Sequence, residues 1–370
     1  MTRVVGILAV VLALYGLLMM SDPQARSLEN HINLGRRIGE WGILTLGVGF
    51  VIITGGIDLS IGSVVCLSAV SFGLLLENGM NPYLATLLVL AGSALIGLFH
   101  GVLVARWNLQ PFIVTLCGLF IYRGIAQLLT LVKFKELGLK FSQGWDTPGR
   151  ILRDSSRDVG LPDKPVMEPF FFLQRGNLPL GDWLGLPEGL RGWFNLPMPL
   201  VLLLVLAVLT GVFLHMSVYG RRLYALGYNE QAARFAGIRT VRYKILSYVL
   251  CSTLAGLGGL IFLLKVRSAA PSNAGSWFEL YAITGAVLGG FSLRGGEGMV
   301  IGILLGTSIL PLLRSYVIFR GIPSDLEFTV IGTALLLGTI ADEMLRRGPG
   351  KWLNSIKTWL AGGKSSGLSG

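Results

Sequence analysis

About ten apolar blocks run through this chain, at roughly residues 4–20, 38–54, 60–76, 83–105, 111–131, 198–217, 244–264, 280–291, 298–314 and 326–342. Most meet the ~17–25 residues that a helix needs to cross the hydrocarbon core of a bilayer. A helix also pairs its own backbone N–H and C=O groups, which lipid cannot do for it. With 52% hydrophobic and only 14% charged residues, the composition excludes a disordered chain and argues against a soluble globular one. The reading is an all-α, polytopic membrane protein of about ten transmembrane helices, some of them short or broken.

The blocks at 280–291 and 298–314 are the broken ones, interrupted by Gly289-Gly290, Gly295-Gly296 and Gly298. Together they read as a helix hairpin with irregular backbone, which is tolerated at membrane depth only where protein buries it or where it lines a cavity. The first block, preceded by Arg3, has the length of a signal peptide. No small-x-small cleavage site follows Met20, where the chain reads Ser21-Asp22-Pro23-Gln24, so a retained first helix is expected.

The net charge is +11, and basic chains often bind phosphates. No basic stripe interleaved with aromatics occurs here, so nucleic acid is not an expected partner, and the charge reads as topology. With the N-terminus cytoplasmic, the inside segments carry 14 Lys and Arg and the short outside loops seven. The long segment 132–197 adds nine cations and eight acids on the outside, but it is just past the length to which the positive-inside rule applies. Both termini are therefore placed in the cytoplasm, with residues 1–345 as the transmembrane domain and 133–197 as an extracytoplasmic insertion within it. The insertion holds Pro148, Pro162, Pro165, Pro169, Pro179, Pro187 and Pro197, so irregular structure is expected there. Phe170-Phe171-Phe172, Trp183 and Trp193 are the side chains that would seat it on the membrane face or meet a partner. Residues 346–370 read as a cytoplasmic tail with a short amphipathic helix carrying Trp352, Leu353, Ile356, Trp359 and Leu360, suited to the headgroup region.

No catalytic constellation is present. His31, His100 and His215 are far apart, without a second histidine or a carboxylate at metal-ligand spacing. Gly290-Phe291-Ser292-Leu293 ends in Arg294, not in the glycine of a nucleophile elbow. Gly363-Lys364-Ser365 lacks the upstream glycine of a phosphate loop, because Thr358 stands there. Cys66, Cys117 and Cys251 lie inside apolar blocks and form neither a disulfide framework nor a zinc spacing. No metal, no cofactor and no ATPase are expected in the chain itself.

Ionisable residues within spans are costly and point to function by default. Asp58, in Thr54-Gly55-Gly56-Ile57-Asp58-Leu59-Ser60-Ile61-Gly62-Ser63, reads in two ways. With Ser60 it caps the following helix after a glycine turn, or it lines a translocation path. Arg123, in Ile121-Tyr122-Arg123-Gly124, is expected to pair with a carboxylate or to snorkel outward. A third stretch, Tyr219 to Ile238, lies between two spans on the cytoplasmic side. Asn229 is a good N-cap, Glu230 suits the first turn, Ala232-Ala233 propagate a helix and Gly237 stops it. A two-turn helix at 229–236, with Gly227 before it and Arg234 on it, suits docking into a groove on a partner.

The block Gly55 to Ser63 resembles the signature of permease subunits of bacterial ABC importers for simple sugars, of the ribose/xylose/galactose type and more distantly the branched-chain amino acid type. Gln110-Pro111-Phe112-Ile113-Val114-Thr115-Leu116, Tyr122-Arg123-Gly124, Ala225-Leu226-Gly227 through Gly237-Ile238, and Ala282 through Gly298 resemble the same family in the same order. The resemblance covers about 28–132 and 198–345 and departs at 133–197, which is longer than the family pattern. It implies a pair of permease chains, homo- or heteromeric, with two ATP-binding subunits that use the ATP, and an extracytoplasmic solute-binding protein. The helix at 229–236 would then be the coupling helix, and the location a bacterial inner membrane. The implied cargo is a monosaccharide or similar small polar solute. A nucleoside, a branched-chain amino acid or a sugar-like signal keeps the same mechanism, whereas an ion-coupled secondary transporter would need Asp58 as its coupling carboxylate.

Overall fold

The computed structural model describes residues 2–131 and 164–323, with positions 326, 329, 332, 333 and 336. The expected tail helix, nearly all of the span expected at 326–342 and residues 132–163 of the insertion lie outside the described residues. Residues to Arg320 form one compact unit, and a second begins at Gly321.

The described residues of the first unit are mostly helical. Its elements are α1 (Thr2–Ser21), α2 (Leu28–Ile53), α3 (Ile61–Glu77), α4 (Pro82–Ala105), α5 (Pro111–Leu131), α6 (Lys164–Arg175), the short α7 (Leu180–Trp183) and α8 (Glu188–Arg191), α9 (Met198–Gly211), α10 (Val218–Tyr228), α11 (Glu230–Phe235), α12 (Thr240–Val266), α13 (Phe278–Leu288) and α14 (Val300–Phe319). Among the described residues six helices are long and apolar enough to cross a membrane, and α3 and α13 are shorter apolar helices. The all-α polytopic reading is borne out. Outward faces of α1, α4, α5 and α9 expose Leu12, Leu87, Leu95, Phe120 and Val208, an apolar surface that suits lipid.

Local signals start these helices where the sequence provides them. Ser27 accepts from Asn30 N at 3.2 Å to open α2, and Asn81 accepts from Tyr83 N at 2.9 Å ahead of Pro82 in α4. α2 is 26 residues long, so it spans about 39 Å. It carries Arg36, Arg37 and Glu40 in its first half and is buried almost continuously from Gly42 to Ile53.

α12 lies at the centre, packed against α2, α3 and α4. The approach is set by glycines. A Cβ on Gly101 of α4 would stand 2.7 Å from Ile245 Cα, and one on Gly97 the same distance from Val249 Cα. Gly259 of α12 faces Val65 O and Ser68 of α3 in the same way. Helices in lipid gain little from the hydrophobic effect, so such close backbone contact and the dispersion it yields carry their association. Ser68 and Ser93 hydroxyls, 3.0 Å apart, add a hydrogen bond between α3 and α4.

Three differences from the sequence reading stand out. The described part of the insertion is largely helical, where its prolines predicted irregular structure. α6 tolerates Pro169 because Met167 and Phe170 on it are buried, Phe170 against Phe72 and Tyr83. A two-residue antiparallel pairing, Asn177 with Pro197 and Leu178 with Leu196, closes the insertion's base, and Trp193 meets the ring of His31 at 4.8 Å. α10 is an additional helix, separated from α9 by a π-helical turn at Val212–Met216. α14 continues through Pro311 and Arg314 to Phe319, beyond the expected 314.

Placing a branched side chain at the α4–α12 seam should break this packing. Gly97→Val is expected to lower stability by about 1–3 kcal/mol, read as a fall in melting temperature of the solubilised chain. Gly92→Ala, where nothing lies within 4 Å of the added Cβ, should leave the melting temperature unchanged or slightly raised.

Candidate functional site

Three glycine-bearing stretches that are far apart in sequence meet at one end of the bundle. Gly296 N donates to Ile53 O, at the end of α2, at 2.9 Å. Gly227, near the end of α10, packs so closely there that a Cβ would overlap Ile53 O and stand 2.5 Å from Gly296 N. Gly296 itself has φ +73°, a left-handed conformation that side chains disfavour. A Cβ on Gly295 would lie 2.8 Å from both Gly227 O and Gly55 N. Tyr224 OH, on α10, donates to Gly298 O at 2.8 Å. Backbone thus meets backbone where α2, α10 and the α13–α14 loop converge.

α10 and α11 sit on this junction. Asn229 Oδ1 accepts from Ala232 N at 3.0 Å to start α11, and Gly237, at φ +77°, ends it one residue past Ala236. Glu230 Oε1 accepts from Arg234 at 2.8 Å, and its Oε2 accepts from Lys244 Nζ at 2.6 Å. Arg234 Nε also donates to Thr240 Oγ1 at 3.1 Å, and Arg222 donates to Tyr243 OH at 2.7 Å. The short helix is therefore pinned to the first turns of α12. Burial alone would raise the Glu230 carboxyl, but the hydrogen bonds from Lys244 and Arg234, with their charges, outweigh it and hold it below its ordinary range. Ala233 points into the bundle, away from the outward face of α11. That face is formed by Ala232, Arg234 and two aromatics, Tyr228 and Phe235, which are 82% and 92% exposed.

The Asp58 loop lies deeper. Asp58 is fully buried; its Oδ1 accepts from Ser60 N at 2.8 Å and from Ser60 Oγ at 2.6 Å, the arrangement of an Asx turn at the entry to α3. Oδ2 has no partner among the described residues. His100, Tyr122, Tyr248 and Cys251 stand within electrostatic reach of it, and Tyr122 OH and His100 Nε2 are 2.9 Å apart. Gly56 is buried beneath Tyr248, whose hydroxyl would lie 2.8 Å from a Cβ placed there. Arg123 lies within electrostatic reach of the Glu279 carboxylate. It donates to Pro271 O and Ser272 O, both at 3.2 Å, and so ties α5 to the loop before α13. Gly289 ends α13 against Gly302 of α14, and Gly290 turns away at φ +86°. Among the described residues no three His, Cys, Asp or Glu gather as a metal site.

Residues 31–339 match the family described as the permease component of the branched-chain amino acid transport system. The chain belongs to this permease family. It is similar to the ribose import permease protein RbsC of Bacillus subtilis, 32% identical over 85% of this chain and 84% of that protein. RbsC of Escherichia coli K12 is 30% identical over 90% and 92%. The autoinducer 2 import system permease protein LsrC of Photorhabdus laumondii is 31% identical over 93% and 90%. No solved structure matches. The resemblance drawn from Gly55 to Ser63 is borne out, and the protein is a multi-pass membrane permease.

Sequence reasoning missed Lys244, Gly296, Tyr228 and Phe235 in this permease. Lys244 was visible only as a topological charge, and its partner lies 14 residues away across a turn. The two aromatics carried a legible signal: large apolar side chains flanking a helix too short and too polar to enter lipid.

Glu230 has its carboxyl held low, so the hold of α11 on α12 is complete above about pH 4.5, the ordinary value, and is lost as pH falls through the lower value of the folded state. Protection factors of the amides across 229–240, taken relative to intrinsic exchange at each pH, should accordingly be high at neutral pH and fall in acid. Glu230→Gln should show the low protection factors already at pH 7; equal protection in both proteins at neutral pH would count against the assigned pairing.

Proposed function

We propose that this permease is the membrane-spanning subunit of an ATP-driven importer that passes a monosaccharide or similar small polar solute to the cytoplasm. The observation that carries this reading is α11. It is a capped, ion-paired helix that rests on a glycine junction and presents Tyr228, Arg234 and Phe235 away from the bundle. A segment so short is marginal by itself, and its two pairs to α12 make it a rigid protrusion. In this reading α11 seats in a cleft of an ATP-binding subunit, and closure of that subunit moves the bundle between outward and inward states.

The remaining parts follow from the same reading. Two permease chains, identical or different, pair with two ATP-binding subunits, which hydrolyse the ATP. An extracytoplasmic binding protein delivers the solute at the end of the bundle that carries the insertion. α11 and both termini then face the cytoplasm across a bacterial inner membrane. The names of the similar permeases, for ribose and for autoinducer 2, support a sugar or sugar-like cargo, and a nucleoside or branched-chain amino acid would use the same machinery. Few charges line the spans, which favours a neutral solute.

The test is ATP hydrolysis by the complex purified on this chain. Vanadate-sensitive activity in a separate co-purifying subunit is the expected result. Glu230→Lys, Arg234→Glu and Phe235→Ala should each reduce co-purification of that subunit by about tenfold or more while the chain remains membrane-inserted. Gly237→Val, which forces a side chain into a left-handed conformation, should do the same. Uptake that proceeds without ATP hydrolysis and collapses with the proton gradient would instead place the chain among secondary transporters, with Asp58 as the residue to test.

A further inference from the structure

Between its two paired strand residues, the insertion folds into a small cap of α7, α8 and a turn at Gly192–Phe194. The cap stands at the end of the bundle opposite α11. At this end Arg36 of α2 donates to Arg175 O at 2.8 Å, and one turn on Glu40 pairs with Lys265, near the end of α12, at 2.5 Å. The backbone of the cap is closely held. A Cβ on Gly181 would overlap Arg191 O, and one on Gly192 would lie 2.5 Å from Leu28 Cδ2 at the start of α2. Arg191 Nε donates to Leu186 O at 2.7 Å, which joins α8 to the loop before it.

A backbone so well seated nevertheless leaves large apolar side chains outside. Trp183 and Leu184 are 68% and 64% exposed, and Leu190, Trp193 and Phe194 are each about half exposed. Scattered single residues of this kind are ordinary, but five within a dozen positions form a patch, and such patches mark a surface that meets something other than water. Of the charges beside them, Asp182 and Arg191 pair with each other at 3.7 Å. The patch therefore offers little for an oppositely charged partner to recognise.

We infer that this cap is a membrane-interface anchor, with Trp183, Leu184, Leu190 and Phe194 set among the lipid headgroups at the end of the bundle opposite α11. Two observations choose lipid over a protein partner. The first is continuity with the lipid-facing surface. Trp193 meets the ring of His31, whose Nε2 lies 2.6 Å from Tyr15 OH on α1, and α1 exposes Leu17 and Met20 at that same end. The second is depth. α9 follows the cap directly, and its first exposed apolar side chains, Leu204 and Val205, lie only about 9 Å along the helix from Met198. The interfacial layer is about 5–8 Å deep on each face of a bilayer, so the cap stands at headgroup level. Tryptophan concentrates at that level because its ring is apolar and its N–H seeks a polar partner. The insertion, the part of the chain that departs from the family pattern, is thus fastened to the bilayer as well as to the bundle. Through His31 the same cap braces α1, which otherwise packs chiefly on α14.

Spin-label accessibility on the full chain, in nanodiscs of phosphatidylcholine and phosphatidylglycerol, tests this. Cys117 is exposed and is replaced by Ser, while the buried Cys66 and Cys251 remain. A nitroxide is then attached singly through Leu184→Cys or Leu190→Cys, both at exposed positions where a label needs no repacking. Val208→Cys on the outward face of α9 gives the value for lipid, and Glu188→Cys, two positions from Leu190 and so on another side of α8, gives the wet rim of the cap. Oxygen, which partitions into lipid, should relax the labels at 184 and 190 severalfold more effectively, relative to a water-soluble nickel chelate, than it relaxes the label at 188. Two results overturn the inference. Ready access of the nickel chelate to both 184 and 190 would show a cap standing in water. Protection of both labels from oxygen and nickel alike would show a face covered by protein, whether another segment of this chain or a partner.

Discussion

Backbone contact along α12 is the constraint on which the rest of this permease depends. Lipid gives apolar helices little reason to leave it for one another, so each contact must come from dispersion between surfaces that fit. Gly97 and Gly101 on α4 and Gly256 and Gly259 on α12 remove the side chains that would hold the helices apart. With α12 seated against α2, α3 and α4, the position of its first turn is settled, and Arg222, Glu230 and Arg234 reach that turn. The glycine junction at Ile53, Gly227 and Gly296 repeats the principle at the end of the bundle.

Polar groups within the bundle divide according to how fully they are satisfied. Ser68 with Ser93 and Arg123 with its two carbonyls are paired, and they join helices. Asp58 uses one oxygen to shape the turn into α3 and keeps the other without a partner among the described residues, near His100, Tyr122 and Tyr248. Arg36 and Glu40 are half-satisfied in the same sense at the other end.

Most of the spans could be read directly because a bilayer imposes length and apolarity on whatever crosses it. α3, α4 and α5 begin and end within a residue of the apolar blocks, and α9 begins where its block does and passes into the π-helical turn that ends at Met216. The cap at Asn229 and the stop at Gly237 were equally visible, since capping is chemistry between near neighbours in sequence. What escaped were consequences of tertiary contact. α6 is helical despite Pro169 because Phe170 finds Phe72, a partner about a hundred residues away. Ala233 turns inward because α11 lies on the bundle and not beside it. Arg123 meets backbone carbonyls, which leave no trace in the identity of a residue.

α12 carries a lysine near each end, and each is ion-paired: Lys244 with Glu230 and Lys265 with Glu40. The two are 21 positions apart on one unbroken helix, about 30 Å along its axis. A helix resists stretching far more than it resists tilting. Any displacement of α11 therefore reaches Lys265 as motion of a stiff rod, not as a signal relayed through loops. The two faces of the bundle share one stiff element, and a tilt that strained the grip on Glu230 at one face would alter the grip on Glu40 at the other.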